Sequence, residues 1–303
     1  MPLYPRGYRM RWSRTQVWIA GLLLLAGWAG QCWLRLRGPR FMESWPPPGT
    51  LFENWQPVAA GVEYTRANLT APRRLKAHAV RIDLGNPQLE LVVNPSREQD
   101  LGWVRSDFPS SWLRSLDALA CVNATPFSPT AIFPKTRVRM VGLSISSGVV
   151  WSPKVPNLDA LVLTKTGKLD LLQGEETDAN ADVGVGGFLV TLRNGVNLGE
   201  TQPQEASTVI GYSADNRWMY WLVVDGGQPG YSEGATPHEA AELIRRLGAS
   251  NALNMDSGSA SILVTKGGWL GPEVRNRPRH PAYAGMQRPV GNVLAVRLRK
   301  ASE

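Results

Sequence analysis

The 303-residue chain is poor in cysteine, poor in histidine and short of helix-period segments. Two cysteines, Cys32 and Cys121, cannot build a disulfide framework or a thiolate metal site. The histidines, His78, His238 and His280, are scattered, with no His-x-x-x-His spacing to grip a metal. Gly184-Val185-Gly186-Gly187 lacks the dinucleotide-binding fingerprint, so neither metal nor cofactor is expected. A Gly-x-Ser-x-Gly elbow is missing as well, which leaves serine hydrolysis through Ser257 or Ser259 a minor alternative. Residues 1–40 contain no Lys, Asp or Glu but hold seven arginines, so of the formal net charge of +8 only +1 remains for residues 41–303. Binding a phosphate backbone needs a basic face on the folded domain. Nucleic acid is therefore not an expected partner.

What is present begins with an apolar run, VWIAGLLLLAGWAG, over residues 17–30. Extended to Leu34, a helix would cover about 27 Å at 1.5 Å per residue, close to a bilayer core of about 30 Å. Trp12, Trp18 and Trp33 lie near its ends, where interfacial aromatics are favoured. The expected organisation is a basic cytoplasmic leader (1–15), a membrane anchor (16–34), a Pro-rich spacer (35–54) and one domain (55–300). That domain would lie outside the cytoplasmic membrane, in the periplasm. Cleavage after Ala29, giving a secreted protein, is the alternative, because small residues at 27 and 29 suit a signal peptidase.

From Leu51 onward short β-type runs alternate with Gly, Pro and Asn breaks: 77–84, 89–93, 118–123, 160–164, 168–172, 188–192, 208–211, 219–224, 252–255, 261–264 and 292–298. One helix is well marked. Thr236 can N-cap it, Pro237 suits its first position, Glu239 completes a capping box and Gly248 can stop it. A weaker helix is expected over 111–119. The fold class that follows is β-rich α+β, with a strand–helix–strand crossover over residues 219–256 reading as a right-handed parallel unit. Such a unit would deliver Asp225 and Asp256 to one sheet edge, with Glu233 on the glycine-rich loop between them. Two carboxylates at one edge suit acid–base cleavage of a glycosidic bond. The plainer reading stays open beside it: Asp225 starts an Asp-Gly turn and Asp256 caps another. Cys121, among apolar neighbours, reads as a buried small hydrophobe. Tyr231, Trp218, Trp221 and Trp269 are candidates for stacking on a sugar.

The segment GYSADNRWMYWLVVDGGQPGYSEGATPHEAAELIRRLGASNALNMDSGSAS resembles the signature of the phosphodiester glycosidase family. Ala120-Cys121-Val122-Asn123-Ala124-Thr125-Pro126-Phe127 and Val185-Gly186-Gly187-Phe188-Leu189 resemble two further motifs of it. The resemblance covers about residues 55–300 and implies removal of a sugar from a sugar-1-phosphodiester. Carried over by position, Asn123, Asp225, Gly226, Asn254, Asp256 and Gly258 match. Thr208, Tyr231, Ser257 and Ser259 join them as expected substrate contacts. Ser207 and Gly227 stand where the family commonly has arginine, Ala124 where it has glycine, and Ser257 and Ser259 replace two glycines. Guanidinium is the natural clamp for a phosphodiester, and Arg81, Arg139 and Arg193 are candidate replacements. Two functions follow: an envelope glycosidase using Asp225, Asp256 and Glu233, or a non-catalytic saccharide-binding accessory of exopolysaccharide or envelope biogenesis.

Overall fold

The computed structural model describes residues 45–47, 49–96, 100–269, 271–280, 283 and 285–299, and the folded unit spans Pro46–Glu303. The expected leader and membrane segment lie outside the described residues. Among the described residues no helix is long and apolar enough to cross a membrane.

Antiparallel sheets dominate. The largest runs in the order Gln56–Ala59, Val62–Leu69, Leu75–Asp83, Trp218–Val224, Ser207–Tyr212, Asn251–Asn254, Val190–Arg193, Val196–Asn197. A five-stranded sheet orders Glu273–Val274, Leu263–Thr265, Ala118–Asn123, Val293–Leu298 and Leu89–Val93. A second five-stranded sheet centres on Ala181–Gly186, and a three-stranded one on Arg137–Met140. The main core lies among the first three, joining Val80, Ile210 and Trp221 to Val122 and Leu294 and to Leu161 and Val185. Ala118–Asn123 is buried along its whole length because alternate side chains enter different cores. Ala120 and Val122 join the main one, while Cys121 joins a second with Leu113, Ile262 and Val293. That is why its sequence reads as a continuous apolar run. Cys121 is fully buried, and burial pushes its thiol up, as suits an inert packing residue.

Two short helices complete the described residues. Helix α1, Pro109–Ser115, begins two residues before the weak sequence signal and ends four before it. Helix α2, Pro237–Leu247, carries both bonds of the capping box: Glu239 N–H donates to Thr236 Oγ1 at 3.2 Å and Thr236 N–H to Glu239 Oε2 at 2.9 Å. Gly248 ends it at φ 118°.

The expected class needs correction. The two strands flanking α2 are not hydrogen-bonded to one another: Ser207–Tyr212 lies between them and pairs antiparallel with both. No parallel crossover pair exists among the described strands, and the fold is an antiparallel β assembly with two small helices rather than an α+β unit built on a crossover. A strand–helix–strand pattern in sequence does not reveal a third strand, from upstream, inserted between its two strands. The inserted strand keeps one consequence of the expectation. Because Ser207 pairs with Val224 and Val209 with Asn254, both flanking strands end beside the start of Ser207–Tyr212.

Replacing Thr236 by Ala removes the cap and should cost about 1 kcal/mol. In a domain of this size that lowers the thermal midpoint by about 2–4 °C, measurable by circular dichroism, with no change in the antiparallel core.

Candidate active site

The site forms where Asn251–Asn254 and Ala118–Asn123 end beside the start of Ser207–Tyr212. Asn123, 1% exposed, ties them. Its Nδ2 donates to the Asp256 carbonyl at 2.7 Å, and its Oδ1 accepts from Thr208 Oγ1 at 2.8 Å and from the Ile262 N–H at 3.0 Å. Asn123 and Thr208 are thus spent on holding the turn after Asn254, not left facing a ligand. The turn is pinned twice more, by Met255 N–H to the Thr208 carbonyl and Gly258 N–H to the Ala206 carbonyl, both 2.8 Å. Ser257 Oγ folds back onto the Met255 carbonyl at 3.1 Å, and Asn254 stands half-buried beside it.

This turn presents Asp256. Burial pushes its carboxyl up to about 7, against the attraction of Arg288 and a hydrogen bond from the Ser257 N–H; the nearby charge of Glu205 pushes the same way as burial. Arg288 is 8% exposed. Its Nη1 donates to Ser259 Oγ, its guanidinium lies 5.2 Å from the Phe127 ring centroid, and its Nε has no hydrogen-bond partner. Glu205 reaches the turn from the segment leading into Ser207–Tyr212: its Oε2 lies 3.4 Å from where a Cβ on Gly258 would sit. Burial raises the Glu205 carboxyl while Arg279 pulls it down. The approach depends on Gly226, where a Cβ would stand 2.2 Å from the Ala206 nitrogen. Gly227, at φ 62°, faces the Arg279 guanidinium, whose Nη1 would be 2.7 Å from an added Cβ.

Asp225 shares the sheet edge but not the chemistry of Asp256. Its side chain is fully buried and its oxygens are engaged. Oδ1 accepts from Asn276 Nδ2 at 3.0 Å and the Arg277 N–H at 2.9 Å; Oδ2 accepts from Tyr231 Oη at 3.2 Å and lies 3.4 Å from His78 Nε2. His78 Nδ1 in turn bonds Tyr64 Oη at 2.8 Å. The charges acting on Asp256 are Arg288 and Glu205, and Asp225 is not among them. Asp225 therefore anchors the 276–277 segment from beneath. Glu233 is exposed, its backbone fixed to Arg74 and Gly227. Among the described residues its carboxylate makes no ion pair with the groups around Asp256.

The candidate replacement cations lie elsewhere. Arg81 pairs with Glu63 at 2.6 Å and stacks on Trp55, Arg193 donates to the Leu171 carbonyl at 3.3 Å, and Arg139 sits in register opposite Trp103. Of the stacking candidates, Trp221 is core and Trp269 stands 93% exposed. Sequence reasoning missed Glu205, Arg279 and Arg288. The available signal was an acid just before an apolar strand and arginines just before the last one, which only strand order connects to Asp256. No group of three metal-ligating side chains occurs among the described residues.

The fold and these side chains define a class: a β-rich domain with a carboxyl that burial pushes up to about 7, acted on by one guanidinium and a second carboxylate. Residues 118–297 match the model of the phosphodiester glycosidase family, and the chain belongs to that family. No curated protein matches the sequence. Among solved structures, the chain resembles the catalytic domain of zebrafish N-acetylglucosamine-1-phosphodiester alpha-N-acetylglucosaminidase, auto-inhibited by its pro-peptide. The TM-score is 0.59 at 14% identity, over 84% of this chain and 86% of that one. It also resembles a hypothetical protein from Synechocystis, with TM-score 0.57 at 14% identity over 80% of this chain. The match spans 63% of that protein's length.

Asp225→Ala would strand Asn276, Arg277 N–H, Tyr231 and His78 together. The expected loss is about 3 kcal/mol of stability, read by urea unfolding, whereas truncating exposed Glu233 should change it by less than about 0.5 kcal/mol.

Proposed function

We propose that this protein hydrolyses the glycosidic bond of a sugar-1-phosphodiester within an envelope or cell-surface saccharide. The observation that carries this reading is the Asp256 carboxyl, pushed up to about 7, with buried Arg288 and half-buried Glu205 acting on it. A carboxyl held there is available both as acid and as base at neutral pH. The bond that breaks joins the anomeric carbon to the phosphate oxygen. Charge collects on that oxygen, and guanidinium groups fixed beforehand stabilise it without reorganising. Protonated Asp256 delivers its proton to the leaving phosphate. Glu205, whose carboxyl burial raises against the pull of Arg279, takes the proton of the water that adds to the anomeric carbon; a raised carboxyl is a stronger base for that step. The products are a free sugar and a phosphate monoester, with atoms and charge balanced.

The substrate in the name of the zebrafish structure supports phosphodiester chemistry, as does family membership. The non-catalytic reading drew on the arginines missing at Ser207 and Gly227. Arg279 beside Gly227 and Arg288 beside Asp256 bring guanidinium groups to the same turns, which favours the enzyme. The apolar run at residues 17–30 supports placing the domain outside the cytoplasmic membrane, held to it by residues 16–34.

Asp256→Asn should lower kcat on a sugar-1-phosphodiester by about 10²–10⁴-fold with the fold intact; undiminished turnover would overturn the assignment. In the wild type, kcat should fall about tenfold per pH unit above about pH 7, as Asp256 loses its proton.

Stability gives an independent check. The folded-state value lies above the ordinary carboxyl value of about 4, so this group's favourable contribution is full below about pH 4 and is lost as pH rises through about 7. Urea unfolding at pH 5 and pH 8 should show a smaller difference in the Asp256→Asn protein than in the wild type.

A further inference from the structure

Beyond Arg279 the rim continues into a cluster of cations centred on Tyr231. Lys76 Nζ lies 4.2 Å from the Tyr231 ring centroid, and the Arg277 guanidinium carbon lies 4.8 Å from the same centroid. Both distances run to one point, so the two charges stand at most about 9 Å apart, close enough to repel. Among the described residues neither makes an ion pair with a carboxylate, and exposed Arg74 and Arg279 flank them without one. Of the acids nearby, Glu205 acts on Arg279 rather than on Lys76 or Arg277, and exposed Glu233 makes no ion pair with either among the described residues. Glu239 pairs with Arg73, Glu273 pairs with Arg275 at 2.8 Å, and Asp225 is buried under the ring with its oxygens engaged. Tyr231 is fixed as a platform: its hydroxyl is tied to Asp225, and its pKa is pushed up to about 12, chiefly by burial, so it adds no negative charge. The anchor that holds Arg277 in place is the pair of hydrogen bonds from its own N–H to Asp225.

We infer that Lys76 and Arg277, mounted on Tyr231, form a second anion subsite that takes a further phosphate group of the substrate. The placement deepens the proposed function and rests on it. Charge interactions join Asp256 to Arg288 and Glu205 and join Glu205 to Arg279; Arg279 lies two residues along the chain from Arg277, which shares the Tyr231 ring with Lys76. A saccharide cleaved at Asp256 therefore presents its next anionic group here. The substrate class is a glycan carrying more than one phosphate, rather than one sugar on an otherwise neutral diester.

The test separates this subsite from the chemistry. Tripolyphosphate binding to the full chain, followed by calorimetry, requires no turnover. The Lys76→Gln/Arg277→Gln protein should lose at least tenfold in affinity and show a weaker dependence on salt, while Arg288→Gln should lose less than threefold. Equal affinity in wild type and double variant, loss confined to Arg288→Gln, or no binding to the wild type would each overturn the subsite. In kinetics, the double variant should raise KM for a sugar-1-phosphodiester bearing a second phosphate and leave KM and kcat unchanged for the same compound without it. Absence of turnover in the wild type would count against the proposed function and leave the calorimetric result to judge the subsite. Thermal melting of each variant confirms that the fold is retained.

Discussion

One buried amide, Asn123, holds the two principal sheets together at the point where the site forms. Its three hydrogen bonds reach the strand entering from Thr208, the turn at Asp256 and the chain returning at Ile262. An amide can do this because it offers donor and acceptor on one rigid plane; an aspartate would lack the donor that the Asp256 carbonyl needs. With that carbonyl fixed, the backbone that carries Asp256 is held among the groups that act on its carboxyl, Arg288 and Glu205. The perturbed carboxyl is a consequence of this anchoring, since a mobile carboxylate would move into water and relax to its ordinary value.

Around that anchor the structure divides two aspartates that look equivalent in sequence. Both follow an apolar strand and both precede glycine or serine. Asp225 is sealed beneath the surface and satisfied by backbone and side-chain donors, so it organises the 276–277 segment. Asp256 is left under the charges of one guanidinium, Arg288, and a second acid, Glu205. Burial with few compensating donors is what raises the Asp256 carboxyl.

The distribution of cations shows the same dependence on folding. Residues 41–303 are almost neutral in sum, and composition excluded a basic face. Folding brings Lys76 and Arg277 to one tyrosine ring, while Glu239 and Glu273 nearby pair with other arginines. A charge count cannot register this, because it contains no distances. The two arginines that position-by-position comparison finds missing at 207 and 227 have a physical counterpart in Arg279 and Arg288, which come from some 50 to 80 residues downstream. Gly227 has no side chain to obstruct that guanidinium.

Local chemistry was legible in the sequence. The capped helix at Pro237, the glycine stop at 248, the apolar strands and the buried character of Cys121 are each decided by residues within a few positions of one another, so spacing alone reveals them. The Asn123 and Asp256 motifs, far apart in the chain, meet in the structure, where the Asn123 amide donates to the Asp256 carbonyl. Strand order was not legible. A strand from upstream inserts between the two that flank α2, and pairing partners separated by tens of residues leave no periodic trace. The tertiary structure alone decided that burial raises the Asp256 carboxyl, which charges act on it and where the cations gather, because each depends on burial and separation in space rather than on neighbours in the chain.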